Sequence, residues 1–428
     1  MNVIIVTIGS HGDVHPFVGL GTGLRRRGHD VTLITNPYFE KLARDAGLDF
    51  APLGTAEQFL SMLHDPDLWN AFKGFDAVFV RGVLPIVEET YRAVEQKNIP
   101  GETVMVASTL SMGARIAQEK LGIPTASAHI APCILRSVYD NPKLPGLFMP
   151  RWFPKWLKRW IWDGGDKYFI DPKIAPPINE FRGRLGLPPV SGIINEWWHS
   201  PQLILGLWPD WYGPPQPDWL KQVRTVGFPL FDEEGITPLS DALDEWLRAG
   251  EPPIAFTPGS AMVQGRQFFQ ESVDACIKLN HRGLLLTRHA EQIPQNLPDN
   301  VRHFDYAPFG TLLPRCAALV HHGGIGTTAQ ALRGGVPQLI MPMSHDQFDN
   351  ADRVERVLGV GRSIHRRRYQ SERVLRCLED LLTRPIIKQN CRRVQQHFAG
   401  AQPIQQACDL IEKLGGAQVP ETASISEH

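Results

Sequence analysis

The sequence predicts an α/β protein made of two doubly wound, Rossmann-like domains that face one cleft. Three observations predict it: short β-branched runs ending at glycine, a helical pattern after each run, and a second start of the same rhythm past the middle of the chain. Val3 to Ile8, closed by Gly9, has the composition of a strand buried on both faces. After the loop GSHGDVHP, Phe17 to Arg27 reads as a helix stopped by Gly28. A strand over Val31–Thr35 and a helix over Tyr38–Ala46 follow. A strand over Thr103–Ala107, a helix over Met112–Leu121 and a strand over Thr125–Ile130 repeat the unit.

Between about residues 133 and 200 the rhythm breaks, and Pro, Trp and basic residues crowd together as in LFMPRWFPKWLKRWIW. That stretch reads as an insertion or lid. Strands resume over Gln202–Leu207 and Val223–Phe228. The second set begins past GFPLFDEEGITP, a Pro/Gly/acid stretch suited to a linker. A helix over Ala242–Arg248 precedes a strand over Pro253–Thr257, which opens into Pro258-Gly259-Ser260. A helix over Phe268–Leu279 and strands over Gly283–Thr287, Val301–Asp305 and Ala317–His321 come next, then a helix over Thr327–Gly334 and a strand over Gln338–Met341. The predicted domains are residues 1–235 and 236–416, with 417–428 as a frayed tail.

Composition narrows the class. The 428 residues suggest two or three domains at roughly 100–200 residues each. With 43% hydrophobic and 21% charged residues the chain is globular and not disordered. The 44 Lys and Arg balance 45 Asp and Glu, for a net charge of −1, which argues against a nucleic-acid binder. Six cysteines never fall in a C-x-x-C pair, so no zinc ribbon or redox pair is expected. MNVIIVTIG lacks a basic leader region, and nowhere is there an apolar run of about 18 residues. A cytoplasmic protein with reduced thiols is the expectation.

The chemistry gathers in two loops. In AALVHHGGIGTTAQALRGGVPQLIMPMSHDQFDN, residues 317–350, a buried strand ends at His321-His322, glycines 323, 324 and 326 turn the chain, and Thr327-Thr328 open a helix. Glycine lets backbone approach a ligand closely, and a helix start offers unpaired N–H groups and a positive dipole, which suits a diphosphate without a metal. His322 adds a hydrogen bond, or a charge if protonated. Asp346 and Gln347 would sit at the end of the next strand, where such a pair can bind vicinal sugar hydroxyls. The second loop, GSHGDVHP, places Asp13 and His15 at the mouth of the first domain. Asp13 alone reads equally as a helix cap; opposite a phosphate–sugar site it becomes a candidate base.

These residues resemble the GT-B glycosyltransferases of the nucleotide-sugar-dependent family one, which includes plant, sterol and antibiotic glycosyltransferases. The likeness covers nearly the whole chain. IGSHGDVHPFVGLGTGLRRRGHDVTLIT and YAPFGTLLPRCAALVHHGGIGTT are similar to the bacterial branch that includes the rhamnolipid rhamnosyltransferase catalytic subunit. The resemblance implies that His322 meets the donor diphosphate, that Gly324, Gly326 and Thr327 contact it at the helix start, and that Asp346 and Gln347 hold the donor sugar. Tyr306 falls where the plant motif has a Trp stacked on the nucleobase, followed by Ala307. Ser260 matches the Gly-Ser loop over the phosphates. Asp13 falls where plant members place a catalytic His, three residues before Pro16.

Two departures stand out. The plant His is supported by an Asp after a middle strand, where this chain has Ser108, so no His–Asp dyad is expected. The ribose-binding Glu of the plant motif is Gln330, which can still hydrogen-bond a hydroxyl without a charge. The implied activity is an inverting, metal-independent transfer of a hexose from a UDP- or dTDP-sugar, with no cofactor beyond that co-substrate. Asp13 would take the proton of an acceptor hydroxyl, and the helix dipole, His322 and loop amides would ease departure of the nucleoside diphosphate. The only nearby D-x-D, Asp65-Pro66-Asp67, is not expected to bind a metal.

The acceptor side is less defined. Trp152, Trp156 and Trp160 recur every four residues, as do Phe153, Leu157 and Ile161, with Arg151, Lys155, Lys158 and Arg159 beside them. A basic helix with a Trp stripe can lie in a membrane interface, on the inner face for a cytoplasmic enzyme. The same stripe can instead pack on the core or line an acceptor pocket. Both suit a small apolar or lipid-like acceptor, so Trp152, Trp156, His15 and His129 are acceptor candidates, and residues 147–162 a candidate membrane contact. A buried core histidine is the alternative for His129. The run HRRR at 365–368 reads as a solvated face.

Three other classes share parts of this pattern. A nicotinamide dehydrogenase needs G-x-G-x-x-G after the first strand and an acid after the second, but GSHGD and Thr35-Asn36 stand there. A nucleotide-sugar epimerase on the same fold is the main alternative, since fold does not fix function. It needs no acceptor pocket, against which the aromatic insertion argues. A non-catalytic binding protein has no use for Asp13 beside an intact donor loop.

Overall fold

The computed structural model describes residues 1–70, 72–231, 238–259, 262 and 265–416. Strands β1 (Asn2–Val6), β2 (Asp30–Thr35), β3 (Asp49–Pro52), β4 (Thr103–Ser108), β5 (Thr125–His129), β6 (Leu203–Gly206) and β7 (Val223–Thr225) form a sheet in the order β3-β2-β1-β4-β5-β6-β7. Strands β8 (Ile254–Thr257), β9 (Gly283–Leu286), β10 (Val301–Phe304), β11 (Ala318–His321), β12 (Gln338–Ile340) and β13 (Gly361–Ser363) form a second, in the order β10-β9-β8-β11-β12-β13. The ladders are parallel. Each sheet reverses its winding once, between β1 and β4 and between β8 and β11, and ligand crevices form at the carboxyl ends beside such switch points.

Alternation explains why β1 is apolar throughout. Val3 and Ile5 join the core on one face of the first sheet, Ile4 and Val6 the core on the other, and all four are fully buried. Each such side chain contributes roughly 1.5–3 kcal/mol of burial.

Three features differ from the sequence reading. The first helix runs His11–Arg26, so it begins ahead of Pro16 and carries Asp13 and His15 in its opening turns. The edge strands β3 and β13 were not anticipated; both are short. The helix Pro403–Leu414, counted with the second domain, packs on the first. Ala407, Cys408 and Ile411 enter its core, and Arg27 pairs with Asp409 at 2.6 Å and Glu412 at 2.7 Å. A Cβ on Gly23 would stand 2.5 Å from Ile404 Cγ2, so glycine at that position sets how closely the two helices approach. The linker boundary near 235 and the tail 417–428 lie outside the described residues.

As expected, no strand interrupts residues 133–200; the helices Lys155–Gly165 and Asp171–Arg184 lie there. The two domains also meet through a buried polar joint. Arg353 bonds Asp349 at 2.7 Å and the Tyr212 carbonyl at 2.9 Å, and the Tyr212 hydroxyl donates to Asn350 at 2.8 Å. Among the described residues no helix is long and apolar enough to cross a membrane.

Candidate active site

The carboxyl ends of both sheets open into one cleft of about 1740 Å³. On the first domain, Thr7 follows β1, and its hydroxyl donates to the Asp13 carbonyl at 3.0 Å. The Asp13 carboxylate accepts from Ser10 N at 2.8 Å and Ser10 Oγ at 3.1 Å, and so closes the helix start on itself. Gly9 has φ +136°, and a Cβ there would meet Asp13 Oδ2 at 2.4 Å, so only glycine lets the carboxylate sit over the turn. Burial raises the Asp13 pKa above its ordinary value, and the Ser10 bonds oppose that. Asp13 is thus a helix cap and a cleft-lining carboxylate at once. His15 lines the same wall, edge-on to Phe231.

On the second domain, His321 holds the glycine loop and His322 lines the cleft. His321 Nδ1 accepts the Gly323 N–H at 3.1 Å, so its proton sits on Nε2 and is donated to Gln338 at 3.0 Å. The His322 ring is clasped between two glycines: a Cβ on Gly259 would come within 2.6 Å of it, and one on Gly324 within 2.5 Å. Burial lowers the His322 pKa to about 4, so it is neutral at pH 7, and its Nδ1 has no protein partner. The helix Ile325–Gly334 starts here, with Gly324 as its N-cap. Gly326, Thr327 and Gln330 line the cleft beside it, and the Gln330 side-chain oxygen is buried without a partner. Tyr306 and Ala307 also line it, with the Arg288 guanidinium 5.2 Å from the Tyr306 ring.

Asp346 is held by Asn350, whose amide donates to Asp346 Oδ2 at 2.7 Å and to the Gly323 carbonyl at 2.9 Å. Burial raises the Asp346 pKa to about 7; the Asn350 bond opposes this, and the charge of Asp13 across the cleft adds to it. Gln347 is differently engaged. Its side-chain oxygen accepts from Met343 N at 2.8 Å and Ser344 N at 3.1 Å, which leaves its amide nitrogen as the group available to a ligand. No spacing rule marks a bridging amide or a loop arginine, so Asn350 and Arg288 carry no role in the sequence alone.

Other candidates stand elsewhere. Ser260 lies outside the described residues. His129 is fully buried and does not line the cleft, which corrects its placement as an acceptor contact. Trp198 Nε1 can only donate, and it does so to His199 Nε2 at 2.9 Å. Neutral His199 therefore donates from Nδ1 to His129 Nε2 at 3.0 Å, and His129 donates from Nδ1 to the Thr109 hydroxyl at 2.9 Å. Trp152 and Trp156 are likewise not in the cleft; their side chains face outward. Asp65 and Asp67 both bind Arg81. Ser108 bonds Ser111 at 2.9 Å, and residues 365–368 are exposed as expected.

The arrangement sets the Asp13 carboxylate across one cleft from a helix N-terminus and a clasped histidine. Residues 3–140 match the family described as glycosyltransferase family 28 N-terminal domain. Residues 272–413 match erythromycin biosynthesis protein CIII-like, C-terminal domain. The chain is 30% identical to O-mycaminosyltylonolide 6-deoxyallosyltransferase of Streptomyces fradiae, over 96% of this chain and 97% of that one. It is 26% identical to sterol 3-beta-glucosyltransferase UGT80B1 of Arabidopsis thaliana, over 84% of this chain and 59% of the relative. The solved structure of glycosyltransferase VinC in complex with dTDP superposes with a TM-score of 0.68 at 20% identity, covering 97% of this chain and 100% of that one. The chain belongs to the family 1 glycosyltransferases of the GT-B fold. These relatives are transferases, which leaves the epimerase alternative without support.

Proposed function

We propose that this glycosyltransferase moves a hexose from a UDP- or dTDP-sugar to a hydroxyl of a small apolar acceptor, with inversion and without a metal. The observation that carries the reading is that Asp13 lines one wall of a single cleft while His322, the helix start at Ile325 and Asp346 line the other. Asp13 takes the acceptor proton as the hydroxyl attacks the anomeric carbon. Burial raises its pKa, which makes its carboxylate a stronger base than an exposed one. As the C–O bond to the diphosphate breaks, charge develops where the neutral His322 donates a hydrogen bond and the first N–H groups of Ile325–Gly334 point. Asp346 and the Gln347 amide nitrogen bind sugar hydroxyls, Gln330 a ribose hydroxyl, and Tyr306 the base.

The acceptor class rests on the apolar wall supplied by Phe75, Val78, Phe79, Leu110 and Trp198. The names of two relatives give a sterol and O-mycaminosyltylonolide as what they glycosylate. The compartment is the cytoplasm, where six free thiols stay reduced. Calorimetric titration of UDP and TDP in EDTA tests the reading. Binding of either nucleotide, lost in His322→Ala, supports it; binding of neither, or binding only with added metal, contradicts it.

A further inference from the structure

The helix Lys155–Gly165 carries two apolar stripes one residue apart. Phe153 and Ile161 turn inward onto a small core of Val138, Met149 and Trp162. Trp152, Trp156 and Trp160 turn outward and are 78%, 71% and 70% exposed. Phe148 precedes them, and Tyr168 and Phe169 follow, all exposed. A single exposed apolar residue is ordinary, but six large aromatics within one short segment mark an interaction surface.

Charge identifies the partner. Arg151, Lys155, Arg159 and Lys167 are exposed in the same segment, against one exposed carboxylate, Asp163. Arg151 is shared with Asp140 and Asp352, while Lys155 lies 3.6 Å over the Tyr139 ring. A cationic rim around indole rings fits the boundary of an anionic leaflet, where indoles sit at headgroup depth and lysine and arginine meet lipid phosphates. A protein groove would demand shape; Trp156 and Trp160 project from the helix into solvent, and Trp152 from the turn before it. Leu144 and Pro145 on one side of the segment and Ile170 on the other line the cleft, so its mouth opens beside this surface.

We propose that residues 148–169 dock the enzyme on an anionic lipid leaflet, with Trp152, Trp156 and Trp160 inserted, and that the acceptor enters the cleft from that leaflet. The entry route rests on the apolar-acceptor reading; the docking itself does not.

Co-sedimentation of the full chain with vesicles tests it, comparing phosphatidylglycerol–phosphatidylcholine mixtures with phosphatidylcholine alone. The mixed vesicles should bind roughly tenfold more tightly or better, and binding should weaken with salt. The triple variant W152S/W156S/W160S should lose roughly tenfold or more of that affinity while binding UDP or TDP like the wild type. Equal sedimentation of variant and wild type overturns the proposal. So does a wild type that ignores anionic vesicles, or one whose aromatic face is buried in a dimer that the triple variant dissolves. Failure of vesicle binding with nucleotide binding intact overturns docking and leaves the transferase reading standing; a wild type that binds vesicles but neither nucleotide does the reverse.

Discussion

Asp346 accepts a 2.7 Å hydrogen bond from Asn350, and the same amide holds the Gly323 carbonyl at 2.9 Å. One side chain therefore fixes both the cleft-lining Asp346 carboxylate and the glycine turn before the helix Ile325–Gly334. Replacement by alanine removes both bonds, and the one Asn350 accepts from the Tyr212 hydroxyl, and leaves buried polar groups unpaired. Asn350→Ala should raise the donor KM about tenfold and cost about 1–3 kcal/mol of stability, read by kinetics and urea unfolding.

The raised pKa of Asp346 has a stability consequence. Its folded value of about 7 lies above the ordinary 3.8, so between those values the folded chain binds a proton that the unfolded chain does not. The contribution of Asp346 thus falls as pH rises from about 4 to about 7. Asp346→Asn should raise the melting temperature of the ligand-free protein at pH 8 by roughly 2–4 °C, with the gain shrinking toward pH 5. An equal offset at both pH values contradicts the assignment.

The clasp around His322 predicts a contrast among neighbouring glycines. Gly324→Ala drives a methyl into the imidazole, and Gly259→Ala adds a strained φ of +97° to the same clash. Each should cost about 1–3 kcal/mol and weaken nucleotide binding. Gly326→Ala meets nothing within 4 Å and should leave the stability of the free protein unchanged. Calorimetric melting of the three variants reads the order.

The relay from Trp198 to Thr109 fixes two tautomers. Burial lowers the pKa of both His129 and His199, the latter to about 3, so both stay neutral across the physiological range. Nitrogen NMR of histidine-labelled protein should find both rings protonated at Nδ1 from pH 6 to pH 8. An Nε2 proton on either ring contradicts the relay.

Much of this was legible in the sequence where one local pattern dominates. The helix Met112–Leu121 matches its expected bounds because the glycine after it adopts the left-handed cap its pattern implies. The strand–glycine–helix turn at residues 318–334 was legible because its strand, glycines and helix start are contiguous. Pro16 misled the start of the first helix: proline marks a boundary by default, and the Asp13–Ser10 closure that lets the helix begin at His11 shows only in three dimensions. The two stripes of Lys155–Gly165 lie about 100° apart, so periodicity announces both and cannot say which one faces water. His129 is the last residue of the buried strand β5, where a cleft residue and a core residue have the same sequence neighbours. The return of Pro403–Leu414 to the first domain depends on Arg27 and His29, almost the whole chain away.

The central claim is that Asp13 takes the acceptor proton in a donor site it does not itself build. The direct measurement is Asp13→Asn, assayed for turnover on an acceptor the wild type glycosylates and for nucleotide affinity by calorimetry. The account predicts a loss of about 10²–10⁴ in kcat, with nucleotide affinity within about twofold of wild type. Turnover within about threefold of wild type would contradict it, and so would an equal loss of nucleotide binding.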